Sequence, residues 1–166
     1  MGSIRLHNFG FQTSPPLPPD VKVAINITPF PLMFDGLNLP VIISTASAYS
    51  MPNDPQKIKT TQILAHFDTG ATKTSIDIGL AKEMNLIPIG ESPSHTAAGL
   101  RQATDFVIDL SFPGTNLHPF KNLQISSCEL TNPTMPLQFR MLLGRDVMSR
   151  WNIVWDGPSS TVIISD

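Results

Sequence analysis

The sequence has little charge, a single cysteine and no long apolar run, and each absence excludes a class of function. Asp, Glu, Lys and Arg make up 14% of its 166 residues, against about 25% in an average soluble domain. The formal net charge is −2, so no basic field is present to attract nucleic acid or an anionic membrane. One cysteine, Cys128, excludes an internal disulfide framework and a multi-cysteine metal site. No apolar run reaches the ~18 residues of a membrane-spanning helix. Since residues 1–10 also lack the apolar stretch of a signal peptide, we expect a cytoplasmic protein.

Proline, by contrast, is abundant and scattered along the chain. The 16 prolines are about twice the usual share of roughly 5%, which excludes a long helical bundle. Residues 1–20 end in a proline-rich stretch and predict a flexible N-terminal arm. Residues 21–166 have the length of one domain, and its first part, to about residue 39, is predicted to be an N-terminal extension.

Short apolar runs and alternating patterns predict many strands and two short helices. The strands are expected over residues 21–27, 39–44, 61–67, 104–112, 123–127, 153–155 and 161–164, the last two as a closing hairpin. Residues 77–85 predict a helix that begins at an Asp77 cap, and residues 145–151 predict a second one. Residues 46–59 contain two prolines and are expected to form a surface loop. The predicted fold class is all-β, with a closed or folded-over sheet.

Two motifs carry the chemical information. The first is Ala65-His66-Phe67-Asp68-Thr69-Gly70-Ala71-Thr72, in which a carboxylate directly follows an apolar strand. The second, about seventy residues later, is Met141-Leu142-Leu143-Gly144-Arg145-Asp146. At this spacing the two motifs resemble those of retropepsin-like aspartic proteases, specifically the single-domain bacterial kind, over roughly residues 40–166. The resemblance implies a retropepsin-like closed barrel with one or two short helices, homodimeric in its active form.

The resemblance also implies a role for individual residues. Asp68 would be catalytic, with Thr69 and Gly70 shaping its turn. The substrate would contact the residues around this turn and at the tip of a flap, a hairpin that folds over it: His66, Ala71, Thr72, Ala97, Ala98, Gly99 and Leu100. Leu143, Gly144 and Arg145 would support the site. In retroviral relatives this arginine pairs with an acidic residue after the catalytic turn, but Thr72 and Lys73 stand there in this chain. Arg145 therefore needs another partner, for which Asp146 and a C-terminal carboxylate are the candidates.

The chemistry of amide cleavage explains why one motif needs a second copy of the chain. Two carboxylates about 3 Å apart share one proton, so one activates water while the other polarises the scissile carbonyl. Asp35 and Asp156 also precede a glycine, but neither has a Ser or Thr in between. We therefore expect the second carboxylate to be Asp68 of another protomer, related by a two-fold axis. The expected substrate is a polypeptide, and neither a metal nor another cofactor is implied.

Simpler interpretations remain open at several positions. An ordinary solvated turn would also explain Asp68, Thr69 and Gly70. An ordinary hairpin would also explain Gly99. His66 stands where the family has an apolar residue, so it either lines a substrate pocket, with an ordinary pKa of about 6.5, or is satisfied by the backbone.

Other features of the chain also leave alternatives. The N-terminal extension would reinforce a dimer, block the cleft or bind a partner. The alternative function is a catalytically weak dimeric binding or adaptor domain with the same fold. Cys128, Met135, Met141 and Met148 are predicted to lie in the core.

Overall fold

The computed structural model of the chain describes residues 3–7, 36–46, 59–96, 99–130, 138–156 and 161–166, the first of these ranges as backbone only. The predicted strand over residues 21–27, most of the predicted loop over 46–59 and Met135 lie outside these residues. The same holds for most of the proposed N-terminal arm and its boundary with the domain. Among the described residues, no helix is long and apolar enough to cross a membrane.

Within these ranges the chain is built mainly from strands. They are β1 (Ser3–His7), β2 (Asn38–Thr45), β3 (Thr60–Phe67), β4 (Ser75–Asp77), β5 (Gly90–Thr96), β6 (Gly99–Ser111), β7 (Phe120–Cys128), β8 (Met141–Leu143), β9 (Asn152–Asp156) and β10 (Thr161–Ser165). The helices are α1 (Ile78–Glu83) and α2 (Arg145–Met148). The predicted strands at 39–44, 61–67, 104–112 and 123–127 and the closing hairpin are confirmed, with changes mainly at their ends.

Six of these strands close into a barrel. Their order is β2-β3-β8-β4-β7-β6, and β6 pairs back onto β2 to complete the ring. The β3–β8 and β4–β7 pairs are parallel and the others antiparallel. Strand β5 adds to β6 outside the ring, while β1, β10 and β9 form a separate three-stranded sheet. The predicted all-β class with a closed barrel and two short helices is thus confirmed.

The core fills the barrel because apolar residues alternate along its strands. Ile108 and Leu110 of β6 are fully buried, as period-2 alternation predicts for one face of a strand. Trp151, just after α2, packs edge-on against Phe112 with the ring centroids 5.0 Å apart, and its ring also lies 6.0 Å from that of Phe67. These contacts hold the segment after α2 against the end of β3, where the first motif begins.

Both helices are shorter than predicted. Asp77 caps α1, since its Oδ1 accepts a hydrogen bond from the Leu80 amide at 3.1 Å. The chain leaves this helix through Asn85, which adopts a positive φ of 53°, the conformation typical of helix ends. In α2 the α-helix ends at Met148, and the residues up to Trp151 continue as tighter i→i−3 turns.

Candidate active site

The Asp68 turn is positioned by a parallel strand pair. Strand β3 pairs with β8 so that Phe67 lies beside Leu143, and the amide of Asp68 donates to the Leu143 carbonyl at 3.0 Å. Phe67 and Leu143 both point into the core, where they are 9% and 0% exposed. The two motifs, far apart in sequence, therefore meet side by side, and Asp68 is the first residue beyond the paired strands.

The turn itself is closed by the carboxylate. Asp68 Oδ1 accepts hydrogen bonds from the amides of Gly70 at 2.9 Å and Ala71 at 3.2 Å, and the Asp68 carbonyl accepts a further bond from Ala71 at 3.1 Å. Asp68 is half-buried, whereas Thr69 and Gly70 are exposed. This arrangement is an Asx-type turn that holds a carboxylate, oriented by main-chain donors, at the surface of the chain.

Thr74 connects the segment after the turn to the second motif. It is fully buried, and its hydroxyl donates to Asp146 Oδ1 at 2.8 Å while it accepts from the Gly144 amide at 3.0 Å. The Thr74 amide also donates to both Asp146 carboxylate oxygens at 3.0 Å. Sequence reasoning assigned Asp146 only as a candidate partner of Arg145, and nothing in the sequence pairs it with Thr74.

Gly144 is required at the crossing of the two segments. A Cβ atom there would lie 2.6 Å from the Lys73 carbonyl oxygen and 2.7 Å from the Thr74 nitrogen. Real Cβ atoms do not approach backbone so closely, and neither segment can move without losing the bonds of Thr74. The predicted supporting role of Gly144 thus has a steric basis.

Arg145 binds the Asp68 turn, and the expectation that Asp146 or a C-terminal carboxylate would be its partner is wrong. Its guanidinium donates to the Thr69 carbonyl at 3.1 Å and to the Thr72 hydroxyl at 2.9 Å. Successive residues of a helix point roughly 100° apart, so Asp146 faces Thr74 while Arg145 faces the turn. The positive charge therefore lies next to the Asp68 turn without being paired to a carboxylate there.

Within the described residues, His66 is held by side chains, whereas the simpler interpretation expected the backbone to satisfy it. Its Nδ1 lies 3.0 Å from Asn38 Oδ1, and its ring stacks on Phe139 with the centroids 4.8 Å apart. Burial lowers the pKa of His66 below its ordinary value, although the charge of Asp68 acts in the opposite direction. Gly36 lies against the ring, because a Cβ there would be 2.7 Å from His66 Cε1. The imidazole next to the turn is thus a confined group that favours its neutral form.

A hairpin extends from the barrel where the sequence predicted the flap. Strands β5 and β6 pair from Gly90 opposite Asp105 to Thr96 opposite Gly99. Gly99 has a φ of 109°, and Leu100 is 62% exposed. Ala97 and Ala98, which join the strands, lie outside the described residues. Since β6 pairs with β7 only from Asp105 onward, the hairpin projects beyond the barrel.

The remaining candidates for chemistry are few. In the part of the chain that the structure describes, no group of three His, Cys, Asp or Glu side chains could hold a metal ion. The Cys128 thiol is half-buried and donates to the Ile76 carbonyl at 3.6 Å. Its burial, together with the nearby charge of Asp77, raises its pKa to about 12, so it is a poor nucleophile. Met141 and Met148 lie in the core as predicted.

Comparison with known proteins gave structural similarities only. No family model and no curated protein matches the sequence. A solved structure of a retropepsin-like aspartic protease from Rickettsia conorii has 14% identity and a TM-score of 0.42, over 77% of this chain and 91% of that one. The simian foamy virus (mac) protease has 18% identity and a TM-score of 0.38, over 66% and 89%.

The retroviral protease-like domain of Ddi1 from Leishmania major has 15% identity and a TM-score of 0.37, over 72% of this chain and 77% of that one. The chain is thus similar in structure to retropepsin-like aspartic proteases.

Proposed function

We propose that the protein is an aspartic endopeptidase that works as a homodimer, with Asp68 of each protomer forming the catalytic pair. The observation that carries this proposal is the Asp68 turn, whose carboxylate is oriented by main-chain amides of Gly70 and Ala71 at the end of a buried strand. A catalytic group has to be held in this way, because small displacements of a reacting atom cost large factors in rate.

The proposed reaction follows from the proton shared by the two carboxylates. At a separation of about 3 Å only one of them is ionised. The ionised carboxylate takes a proton from water as the water oxygen bonds to the scissile carbonyl carbon, and the protonated carboxyl donates to the carbonyl oxygen. The tetrahedral intermediate then breaks its C–N bond: the protonated carboxyl donates its proton to the leaving nitrogen, and one hydroxyl of the intermediate returns its proton to the other carboxylate, which restores the shared proton. Neither a metal nor a covalent enzyme intermediate is needed.

Two features of the chain support the homodimer. The chain has one Asp-Thr-Gly motif, so the second carboxylate has to come from another molecule. Within the described residues, β9 is an edge strand with one neighbour, β10, and its Val154 and Trp155 are 58% and 54% exposed. An exposed apolar edge strand invites pairing with another chain, and a second copy would cover it.

The hairpin supports a polypeptide as substrate. Gly99 and Leu100 lie at its exposed end, and the exposed Thr72 follows the catalytic turn. A peptide lying extended between them would bind through its main chain, so that side-chain pockets set the preference. We assign substrate contacts to His66, Ala71, Thr72, Ala97, Ala98, Gly99 and Leu100.

The experiment is cleavage of a diverse peptide library by the wild type, by Asp68→Asn and by Asp109→Asn. Asp109 also follows an apolar residue of a barrel strand, and its carboxylate pairs with Lys121 at 2.8 Å, which makes it a matched control outside the proposed site and the β9 edge. We expect Asp68→Asn to abolish cleavage and Asp109→Asn to preserve it. Wild-type turnover by Asp68→Asn would refute the assignment. A wild type that binds peptides without cleaving them would favour the binding or adaptor domain.

Subunit mixing tests the shared site directly. Adding an excess of Asp68→Asn protein to the wild type should suppress cleavage, because mixed dimers contain a single catalytic carboxylate. Specific activity should also fall on dilution, in parallel with dissociation measured by sedimentation. Activity that survives both treatments would mean that one chain contains the whole site.

A further inference from the structure

A buried carboxylate lies where the hairpin meets the barrel. Asp105 is 5% exposed, and it is the first residue of β6 that pairs with β7, opposite Ser126. The part of β6 before it forms its strand pairing with β5, and the Thr104 amide, next to Asp105, also donates to the Ser127 hydroxyl of β7 at 2.9 Å. Asp105 is therefore the point at which β6 passes from the projecting hairpin into the closed barrel.

Donors from three other parts of the chain converge on this carboxylate. Ser92 of β5 donates to Oδ1 at 2.9 Å, and Ser126 of β7 donates to the same oxygen at 2.6 Å. Gln124 of β7 donates to Oδ2 at 3.2 Å, and Lys73 Nζ, from the segment after the catalytic turn, lies 4.0 Å from Oδ2. The hairpin, the barrel and the segment after the turn thus meet at one side chain.

The neighbouring groups explain why the Asp105 carboxyl is ionised although it is buried. Burial alone would raise the pKa of the Asp105 carboxyl, but the bonds from Ser126 and Ser92, the charge of Lys73 and the bond from Gln124 outweigh it. The pKa lies below its ordinary value as a result. Removing the charge would weaken the bonds from Ser126 and Ser92 and leave Lys73 facing an uncharged group, and the loss of bonds to a charged acceptor is costly where that acceptor is buried.

The network continues from Asp105 to the catalytic turn. The amide of Ser126 donates to the Thr74 carbonyl at 3.1 Å, so Ser126 bonds to Asp105 with its side chain and to Thr74 with its backbone. Thr74 in turn holds Gly144 and Asp146. A continuous path of hydrogen bonds therefore runs from the base of the hairpin to the crossing beneath the Asp68 turn.

We propose that Asp105 is a positioning residue, which sets the place of the hairpin relative to the Asp68 turn through its bonds to Ser92 and Ser126. The inference rests on the proposed function for its catalytic consequence, because a hairpin placed correctly relative to the Asp68 turn would close over an extended peptide substrate. The placement of the hairpin itself does not depend on that function.

Hydrogen exchange measured by mass spectrometry tests the placement without any assay of activity. The variants are Asp105→Asn, which removes the charge, and Ser92→Ala, which removes the bond from β5. Asp109→Asn is the matched control, because Asp109 lies on the same strand and its carboxylate also pairs with a lysine, Lys121, at 2.8 Å. It lies in the barrel part of β6, away from the hairpin.

We expect exchange of hairpin amides over residues 90–104 to become about tenfold faster in both test variants, as the loss of a bond to a charged group implies. Amides of β3, β8 and α2, over residues 60–67 and 141–148, should be unchanged, and Asp109→Asn should behave like the wild type in the hairpin. Unchanged exchange in the hairpin would overturn the proposal, and so would an equal increase throughout the chain. If Asp105→Asn does not fold, Ser92→Ala decides between these outcomes.

Peptide cleavage supplies the second measurement. Ser92→Ala and Asp105→Asn should raise KM by about tenfold with a smaller change in kcat, because the proton-sharing carboxylates are untouched. A fall in kcat at constant KM would overturn the positioning role. If the wild type cleaves no peptide, the proposed function fails, but hydrogen exchange still tests whether Asp105 places the hairpin.

Discussion

Replacement of Gly144 by alanine tests the crossing that supports the Asp68 turn. The added Cβ would lie 2.6 Å from the Lys73 carbonyl oxygen and 2.7 Å from the Thr74 nitrogen. Both are backbone atoms, so no side-chain rotation can relieve the contact. The backbone angles of Gly144, φ −87° and ψ 179°, suit any residue, which leaves the steric contact as the only reason for glycine.

The expected loss of stability follows from the shift of α2 that the added Cβ would force. If α2 shifts away, the amide bonds from Arg145 to the Ala71 carbonyl at 3.0 Å and from Asp146 to the Thr72 carbonyl at 3.2 Å lengthen or break. Overpacking of a tight core costs typically 1–3 kcal/mol, so with these bonds added we expect about 3 kcal/mol less stability. With a urea m-value of about 2 kcal/mol/M, the unfolding midpoint would fall by about 1.5 M.

The assay is urea unfolding of Gly144→Ala and of Gly90→Ala, followed by tryptophan fluorescence and circular dichroism. Gly90 is the matched control, because a Cβ there meets nothing within 4 Å, and its replacement should change the free energy of unfolding by less than about 0.5 kcal/mol. A Gly144→Ala midpoint as close to the wild type as that of the control would refute the reasoning. Failure of Gly144→Ala to fold beside a folded Gly90→Ala would agree with it.

Two further predictions concern titratable groups. Because the Cys128 thiol has its pKa raised to about 12, a thiol reagent at pH 8 should modify it in urea but not in the native protein, and rapid native modification would contradict this burial. Because the pKa of His66 is lowered on folding, the unfolded chain takes up the proton first, so stability is lost as pH falls below about 6.5. His66→Gln should lose less stability than the wild type between pH 7 and pH 5, and parallel stability curves would count against a confined imidazole.

The strands were predictable wherever one face of a strand is buried. The alternation that ends in Ile108, Leu110 and Phe112 is a local pattern, and these residues are all in the core. The cap of α1 at Asp77 was equally predictable, because the amide that donates to its carboxylate belongs to Leu80, only three positions away. The position of the Asp68 turn was also predictable, because the turn directly follows the end of β3.

The partners of the polar side chains were not predictable in this way. Arg145 binds the Thr69 carbonyl and Thr72, and not the neighbouring Asp146. His66 pairs with Asn38 on an adjacent strand. No spacing rule predicts such pairs, because each depends on which strands are neighbours and in what register.

The sequence alone determined the all-β class, the location of the main strands and the single Asp-Thr-Gly turn, since burial patterns and turn chemistry act over a few residues. Only the tertiary structure decided that β3 and β8 lie parallel, that Thr74 joins the two motifs and that Asp105 links the hairpin to the barrel. The physical reason is that these contacts join residues far apart in the chain, and the closure of the barrel selects which of many polar groups can meet.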